Sequence, residues 1–163
     1  MVSQTRLCRI IVATLMVLTL CIGWVSPAAA TNYDRQNLRK TDWSNQDLRD
    51  NNYTRADMAD ADMSHANLRG VRLFDTTLAR ANMEGADMTG ATLDGARFFQ
   101  ANLTNAILEG AYAFGTDFRE ATIDGADFTD VLLDPKVNKM LCTVAQGTNP
   151  VTGRNTRDTL YCP

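Results

Sequence analysis

A five-residue period runs through most of this chain and limits what it can fold into. Written in fives, residues 36–135 give twenty consecutive quintets, beginning QNLRK, TDWSN and QDLRD. The first position is alanine in twelve of them, and the third is large and apolar or aromatic in all but one, where it is Ala113. Regularity of this kind indicates an internal-repeat architecture.

The period excludes both a continuous α-helix and a continuous strand. On a helix, a five-residue step turns the side chain by about 140°, and on a strand the odd step moves it to the opposite face. The remaining solution points positions one and three inward and position two outward, and turns the chain at positions four and five. Each quintet then forms one side of a coil, and stacked coils pair their backbones about 4.8 Å apart.

The residue types at the outward positions agree with this geometry. Position two is mostly Asp or Asn, whose short side chains can hydrogen-bond to neighbouring backbone groups. Position five is rich in Gly, Asp and Asn, which tolerate left-handed backbone. The outward carboxylates are therefore expected to be part of the repeat and not catalytic groups.

The pattern A-(D/N)-(L/F/M)-x-x, seen in ADMAD, ANLRG, ANMEG and ADFTD, resembles that of the pentapeptide repeat proteins. The resemblance implies an all-β solenoid, namely a right-handed quadrilateral β-helix in which four quintets make one coil. Residues 36–135 would then form about five coils.

Both ends of such a column need a cover, because open ends expose the core to water. At the N-terminal end, Trp43 and Tyr53 at position three would help to plug the first coil. At the other end, Asp134 and Pro135 are typical of a helix start, and Gly147 of a helix end. We expect a short C-terminal α-helical cap whose apolar face comprises Val137, Met140, Leu141 and Val144.

The first thirty residues have the composition of a secretory signal peptide. Arg6 and Arg9 precede an apolar-dominated stretch at residues 10–22, and Ala30 ends a small-x-small pattern that signal peptidase reads. Because that stretch is short for a membrane span, a retained anchor is the weaker alternative. We expect cleavage after Ala30 and no stable membrane insertion, which leaves a repeat region at residues 31–135 and a cap at residues 136–163.

Removal of the leader would leave two cysteines, Cys142 and Cys162. In an exported chain they most simply form one disulfide, worth about 3 kcal/mol on the loop-entropy argument. A reversible redox switch is the alternative. The leader, the repeat and this pair bracketing GTNPVTGRNTRDTLYC resemble the small pentapeptide repeat proteins of the thylakoid lumen and their cyanobacterial relatives. The resemblance implies a lumenal or periplasmic protein, and no activity is established for that group.

The sequence offers no constellation for catalysis, a metal or a cofactor. His65 is the only histidine, and it falls at position five, on an outside corner. A lone histidine cannot supply a zinc or copper site, and the aspartates follow the repeat. We therefore expect a non-enzymatic protein without a cofactor.

Departures from the pattern mark candidate contacts with a partner, because outward aromatic residues can form a binding patch. The candidates are Phe74, Phe99, Tyr112 and Phe114. The folded-back tail is expected to cover Tyr112 and Phe114 together with Leu132, which leaves Phe74 and Phe99 as the better candidates for exposure. Ala113 in the large column also predicts a local register slip that turns Phe114 inward.

Three functions follow from these features. The leading hypothesis is an exported interaction module whose partner is another protein, and the second is a redox-responsive protein switched through Cys142 and Cys162. The third is an acidic mimic of DNA, as in pentapeptide repeat proteins that inhibit topoisomerases, because residues 34–135 carry 18 acidic and 10 basic side chains, a net charge of −8. Export would separate the protein from that target, so no nucleic-acid partner is expected.

Overall fold

Backbone pairing between residues twenty apart organises the repeat region. A computed structural model describes residues 30–163, so the predicted signal peptide lies outside the described residues apart from Ala30. Parallel bridges join each position-two residue to its counterpart four quintets later, from Asn32 with Asn52 to Ile107 with Asp127. The chain therefore returns beside itself every twenty residues, as the resemblance implies.

These pairings stack the quintets into four sides. The first side begins at residue 31, the second at 36, the third at 41 and the fourth at 46, and each recurs every twenty residues. Residues 31–35 form a further quintet that the count from residue 36 omits, since Asn32 bridges Asn52 and the ring of Tyr33 stacks on that of Tyr53 at 5.0 Å. Its first position is threonine, as in the counted quintet that begins at Thr41.

The corners are β-turns with left-handed backbone at position five. The position-three carbonyl accepts from the N–H three residues later, as in Ala56 N–H to Tyr53 O at 2.9 Å. Position five has φ between +54° and +70° in every quintet from 31–35 to 126–130. A type II turn requires such a residue, which explains the glycines; residues such as Arg80 and Glu120 adopt the same conformation at a cost of about 1–2 kcal/mol each.

Positions one and three supply the core. In the coil at residues 91–110, the four position-three side chains are fully buried: Leu93, Phe98, Leu103 and Leu108. Two buried threonines at position one are satisfied by carbonyls of the coil interior, since Thr76 Oγ1 donates to Tyr53 O at 2.7 Å and Thr116 Oγ1 to Leu93 O at 2.8 Å. The column is therefore closely packed without orphaned hydroxyls at these positions.

The predicted register slip at Ala113 is wrong. Strand β1, Tyr112–Ala113, pairs in parallel and in register with β2, Leu132–Leu133. Ala113 is fully buried and Phe114 stays outside. The coil that contains Ala113 also has Phe118 and Phe128 at position three, with ring centroids 6.1 Å apart. The small side chain of Ala113 therefore leaves room in the core for these two large rings.

Aromatic rings close the N-terminal end, as predicted. Trp43 packs edge-on against Tyr33 at 5.5 Å and against Tyr53 at 6.3 Å. Asn51 Nδ2 donates to the Tyr53 hydroxyl at 3.2 Å, and burial raises the pKa of Tyr53 to about 12. The tyrosine hydroxyl therefore stays neutral inside this plug.

The first helix of the C-terminal cap is shorter than predicted, and the cap contains a second helix. Helix α1, Pro135–Leu141, follows Asp134 and buries Leu141 fully. It ends with Cys142 as its C-cap, so the prediction that it runs to Gly147 is wrong, and Val144 is 50% exposed instead of lying on the apolar face. The second helix, α2, comprises Thr156–Thr159 and is not predicted by the sequence pattern. Asn155 Oδ1 caps it by accepting from Arg157 N–H at 3.0 Å.

Asn149 fixes the tail to the column. Its fully buried side chain donates through Nδ2 to Asn105 O at 3.0 Å and to Gly125 O at 2.9 Å. Its Oδ1 accepts from the N–H groups of Val151 and Thr152 at 2.9 and 3.1 Å. One amide thus joins corners of two coils on the third side to a turn of the tail.

The tail also replaces part of a missing coil. Three N–H groups that a further coil would bind find acceptors in the last quintet, residues 131–135, or in the cap. The pairs are Gly115 N–H to Asp134 Oδ2 at 2.7 Å, Gly125 N–H to Gln146 O at 2.8 Å and Phe128 N–H to Thr159 Oγ1 at 3.1 Å. The last layer therefore presents fewer unpaired donors to water than a bare strand edge would.

A partly buried ion pair secures the same region on the fourth side. Arg154 Nη1 lies 2.8 Å from Glu109 Oε2 and 3.1 Å from Asp127 Oδ2, and the Asp127 side chain is fully buried. Burial raises the pKa of Asp127, but hydrogen bonds from Thr129 and Thr152 and the charge of Arg154 outweigh it and hold that pKa below its usual value. The ionised carboxylate is thus favoured by the folded state.

Leu93→Arg should abolish cooperative unfolding, because it places an unpaired charge in the core at a cost above about 4 kcal/mol. The matched variant is Thr92→Arg, at the adjacent outward position, where Arg72 and Arg97 already occur on other quintets. It should change stability by less than about 1 kcal/mol. Urea titrations followed by circular dichroism measure both, and equal losses would contradict the assigned inward and outward positions.

Asp127 should make stability fall in acid. Since its folded pKa is below the unfolded value of about 3.9, its contribution is present above that pH and is lost as the pH drops through the folded pKa. Between pH 6 and pH 3, Asp127→Asn should therefore lose less stability than the natural protein, and Arg154→Gln should fall between them. Urea midpoints across this range test it; the same pH dependence in all three proteins would refute it.

Candidate protein-binding face

Large apolar side chains are exposed on the first side of the column. Tyr112 is 50% exposed, Phe114 49%, Leu132 47% and Phe74 39%. Tyr112 and Leu132 are neighbours at position two of adjacent coils, whereas Phe74 and Phe114 occupy position four, two coils apart. At strand spacing that separation is about 9.6 Å. We call these four residues the aromatic face.

The tail does not cover the aromatic face, so that prediction is wrong. The tail docks on the third and fourth sides, where Asn149 binds Gly125 O and Arg154 binds Glu109. These contacts draw residues 146–160 away from the first side. Tyr112, Phe114 and Leu132 consequently remain about half exposed.

The backbone beneath the aromatic face is held in place. Asp94 Oδ1 accepts from Phe114 N–H at 2.9 Å, and Asp134 Oδ2 accepts from Gly115 N–H at 2.7 Å. Tyr112 and Leu132 are themselves paired, as members of strands β1 and β2. A partner would therefore meet a surface whose main chain needs no reordering on binding, which lowers the cost of association.

Arginines border the aromatic face at its N-terminal end, which the five-residue pattern does not predict. The Arg55 guanidinium lies over the Phe74 ring at 5.9 Å, and its Nε is 3.7 Å from Asp75 Oδ2. Arg72 stands at position two of the quintet that carries Phe74, is exposed, and forms no ion pair within residues 30–163. Arg55 and Arg72 precede Phe74 by 19 and 2 residues. Once the coil is known to contain twenty residues, this spacing predicts that both arginines lie beside Phe74.

Phe99 is separate from the other candidates. It stands at position four on the second side and is half-buried, so it adds nothing to the aromatic face. The structure thus brings together three of the four predicted contact residues, Phe74, Tyr112 and Phe114, and places Leu132 beside them.

The outward carboxylates are occupied by structural bonds. Position-two Asp and Asn side chains accept from the N–H two residues later, as in Asp87 Oδ1 with Thr89 N–H at 3.0 Å. Several also pair with arginine; the hydrogen bond from Arg119, 2.8 Å from Asp117, holds the pKa of Asp117 below its usual value. These groups act as turn and ladder residues, in agreement with the interpretation of the repeat.

His65 lies at a left-handed corner of the third side, with φ of +56°, and is exposed. Gly85 occupies the next corner of that side, and a Cβ there would come within 2.5 Å of His65 Nδ1, so the glycine leaves room for the imidazole. Among residues 30–163, no group of three or more His, Cys, Asp or Glu side chains is placed to hold a metal ion. Within the same residues, no helix has the length and apolar character needed to cross a membrane.

A disulfide joins Cys142 to Cys162. It links the end of α1 to the C-terminal segment, and both cysteines are half-buried. Arg157 reinforces the link by donating to Cys142 O at 3.0 Å and to Pro163 O at 2.9 Å. The C-terminus is therefore held by one covalent bond and two charge-assisted hydrogen bonds.

Comparison with known proteins agrees with this architecture. The family model for pentapeptide repeats matches eight copies, over residues 52–75, 66–105 and 96–134. No curated protein matches the chain. Among solved structures, a pentapeptide repeat protein from the thylakoid lumen of Arabidopsis thaliana is 41% identical, covers 80% of this chain and 90% of its own, and superposes with a TM-score of 0.79.

Two cyanobacterial structures are also similar. A pentapeptide repeat protein from Nostoc is 29% identical over 76% of this chain and 95% of its own, with a TM-score of 0.56. Another from Cyanothece is 25% identical over 64% of this chain and 88% of its own, with a TM-score of 0.50. Members of this group form right-handed quadrilateral β-helices and are generally structural or interaction proteins rather than enzymes. With the twenty-residue pairing and the matched repeats, the chain belongs to the pentapeptide repeat family.

Proposed function

We propose that the protein is an exported, non-enzymatic interaction module that binds another protein through the aromatic face. Its leader, residues 1–30, is removed, and residues 31–135 form a rigid right-handed solenoid of about five coils. Residues 136–163 cap the last coil. The protein works without a cofactor, and its role is to present fixed side chains.

The exposure of Phe74, Tyr112, Phe114 and Leu132 on one side carries this proposal. Clustered apolar side chains on a polar surface are typical of a protein-binding site. Aromatic residues also contribute most to binding at the centre of interfaces. The hydrogen bonds from Phe114 and Gly115 to Asp94 and Asp134 keep the frame fixed, which favours a partner that docks without rearranging this side.

The thylakoid lumen or the periplasm is the proposed location. The 41% identical Arabidopsis protein comes from the thylakoid lumen, which supports the lumenal alternative. The secretory composition of residues 1–30 supports export in either case.

A protein partner fits the surface better than a role as a DNA mimic. Acidic side chains are interrupted by arginines that pair with them, as Arg39 does with Asp57 and Asp60 at 3.2 and 3.0 Å. Arg69 pairs with Asp87 at 2.9 Å. These pairs break up the continuous negative potential that imitation of a phosphate backbone requires.

Site-specific photo-crosslinking in the native compartment tests the proposed function. A photoreactive residue at Thr92, which pairs with Tyr112 of the aromatic face, should capture a protein that the same residue at Asn102, on the third side, does not. Tyr112→Ser combined with Phe114→Ser should reduce that crosslink at least about tenfold, because buried aromatic anchors dominate binding energy. Tyr161→Ser, which removes an exposed aromatic residue of the cap, is the control and should leave the crosslink unchanged.

Capture of the same protein from both positions would contradict the proposal, as would an unchanged yield in the double variant. Thermal unfolding of each variant shows whether the fold is retained, since these exposed side chains should change stability by less than about 1 kcal/mol each.

Redox regulation through Cys142 and Cys162 is the second candidate. The disulfide and Arg157 together tie α1 to the C-terminus, so reduction would free one end of the cap. A half-buried position for both cysteines is compatible with access by a thiol carrier.

The reduction potential of the Cys142–Cys162 pair decides between a switch and a structural bond. A regulatory pair should titrate above about −300 mV, and a value below that favours a purely structural bond. Cys142→Ser should destabilise the protein by about 3 kcal/mol in either case, measured by urea unfolding. Loss of stability without a change in the Thr92 crosslink would place the disulfide outside the binding function.

A further inference from the structure

The charges on the first side are unequally engaged. Every acidic side chain on this side has a partner. The contacts are Asp34 with Arg35 at 3.6 Å, Asp75 with Arg55 at 3.7 Å, Asp94 with Phe114 N–H at 2.9 Å and Asp134 with Gly115 N–H at 2.7 Å. The side chain of Arg72, by contrast, forms no ion pair or hydrogen bond within residues 30–163, although its backbone pairs with Asn51 and Tyr53 of the preceding coil. The first side therefore offers one uncommitted cation and no uncommitted carboxylate.

Arg72 is also placed in line with the apolar residues. It stands at position two, the same column as Thr92, Tyr112 and Leu132, which follow at successive coils. Phe74 is two residues along the same quintet. At strand spacing, the column from Arg72 to Leu132 spans about 14 Å, the reach of four or five extended residues. A single short segment of a partner can thus cover the cation and the aromatic face together.

We infer that the aromatic face takes a segment of the partner protein that carries a carboxylate at one end and apolar side chains after it, with the carboxylate on Arg72. The inference rests on the proposed function and specifies the partner chemistry. Charge complementarity selects the carboxylate, since Arg presents a fork that binds it in two-point geometry. Phe74, Tyr112 and Leu132 select the apolar side chains that follow.

The orientation of the segment follows from the same positions. The carboxylate end lies toward the N-terminal coils, at Arg72, and the apolar end lies toward the cap, at Leu132. Arg55 stays engaged with Asp75 and the Phe74 ring, so it shapes the border of the site without being the ion partner. Reversal of one charge should therefore weaken binding strongly.

Charge variants of Arg72 test the inference with the Thr92 photo-crosslink as readout. Arg72→Glu should lower the crosslink yield at least about tenfold, because attraction becomes repulsion at a position that the bound segment would cover. Arg72→Lys should recover most of the yield. The matched control is Arg97→Glu, an exposed position-two arginine on the second side, which should leave the yield unchanged.

Salt dependence of the same crosslink, carried out in an extract of the native compartment, is the second measurement. Raising ionic strength from about 0.05 to 0.5 M should reduce the yield of the natural protein more than that of Arg72→Gln, because only the former has the ion pair to screen. Equal yields for Arg72→Glu and the natural protein, or equal salt dependence for Arg72→Gln, would overturn the carboxylate assignment. If the Tyr112 and Phe114 variants still abolish the crosslink in that case, the proposed function stands; if they do not, both fail.

Discussion

Hydrogen bonds between coils are the constraint on which the rest of the structure depends. Because residue 57 must lie above residue 37 and below residue 77, every side of the column repeats after twenty residues. The corners must then turn within two residues, which drives position five into left-handed backbone even where the side chain is Arg80 or Glu120. Positions one and three have no alternative to facing inward, and the core follows from the pairing.

The same regularity supports the proposed role in binding a partner. Its main chain is fixed by backbone pairing, so a change at an outward position alters the surface and leaves the frame intact. The first side uses this freedom: Phe74, Tyr112, Phe114 and Leu132 replace residues that elsewhere are mostly polar. The pattern is kept where the core needs it and broken where a partner can reach it.

The repeat could be predicted from the sequence because its information is local. The core of the column needs a small residue at position one and a large one at position three, and each quintet shows both. Asp134 and Pro135 likewise mark where α1 begins. The path of the tail could not be predicted. Asn149 before Pro150 indicates a turn, but the partners of its amide are carbonyls 24 and 44 residues earlier, and no periodicity connects them.

The prediction that the tail covers Tyr112 and Phe114 is wrong because the path of the tail could not be predicted. The side on which the tail lies decides whether these residues are covered. The volume balance at Ala113 was missed for a related reason. It depends on Phe118 and Phe128, which share its coil but lie on other sides. Side chains from all four sides of a coil share one interior volume. The five-residue pattern describes each side by itself and does not show how the four sides divide that volume.

The closed C-terminal end has a mechanical consequence. Bonds between coils run along the column, so tension along the axis loads all bonds of one layer together, whereas a pull on a chain end peels one quintet at a time. At the C-terminal end, peeling would have to begin behind the Cys142–Cys162 bridge and the anchors of Asn149 and Arg154. A protease or translocating machine that unravels proteins from this end would meet its greatest resistance at the first step.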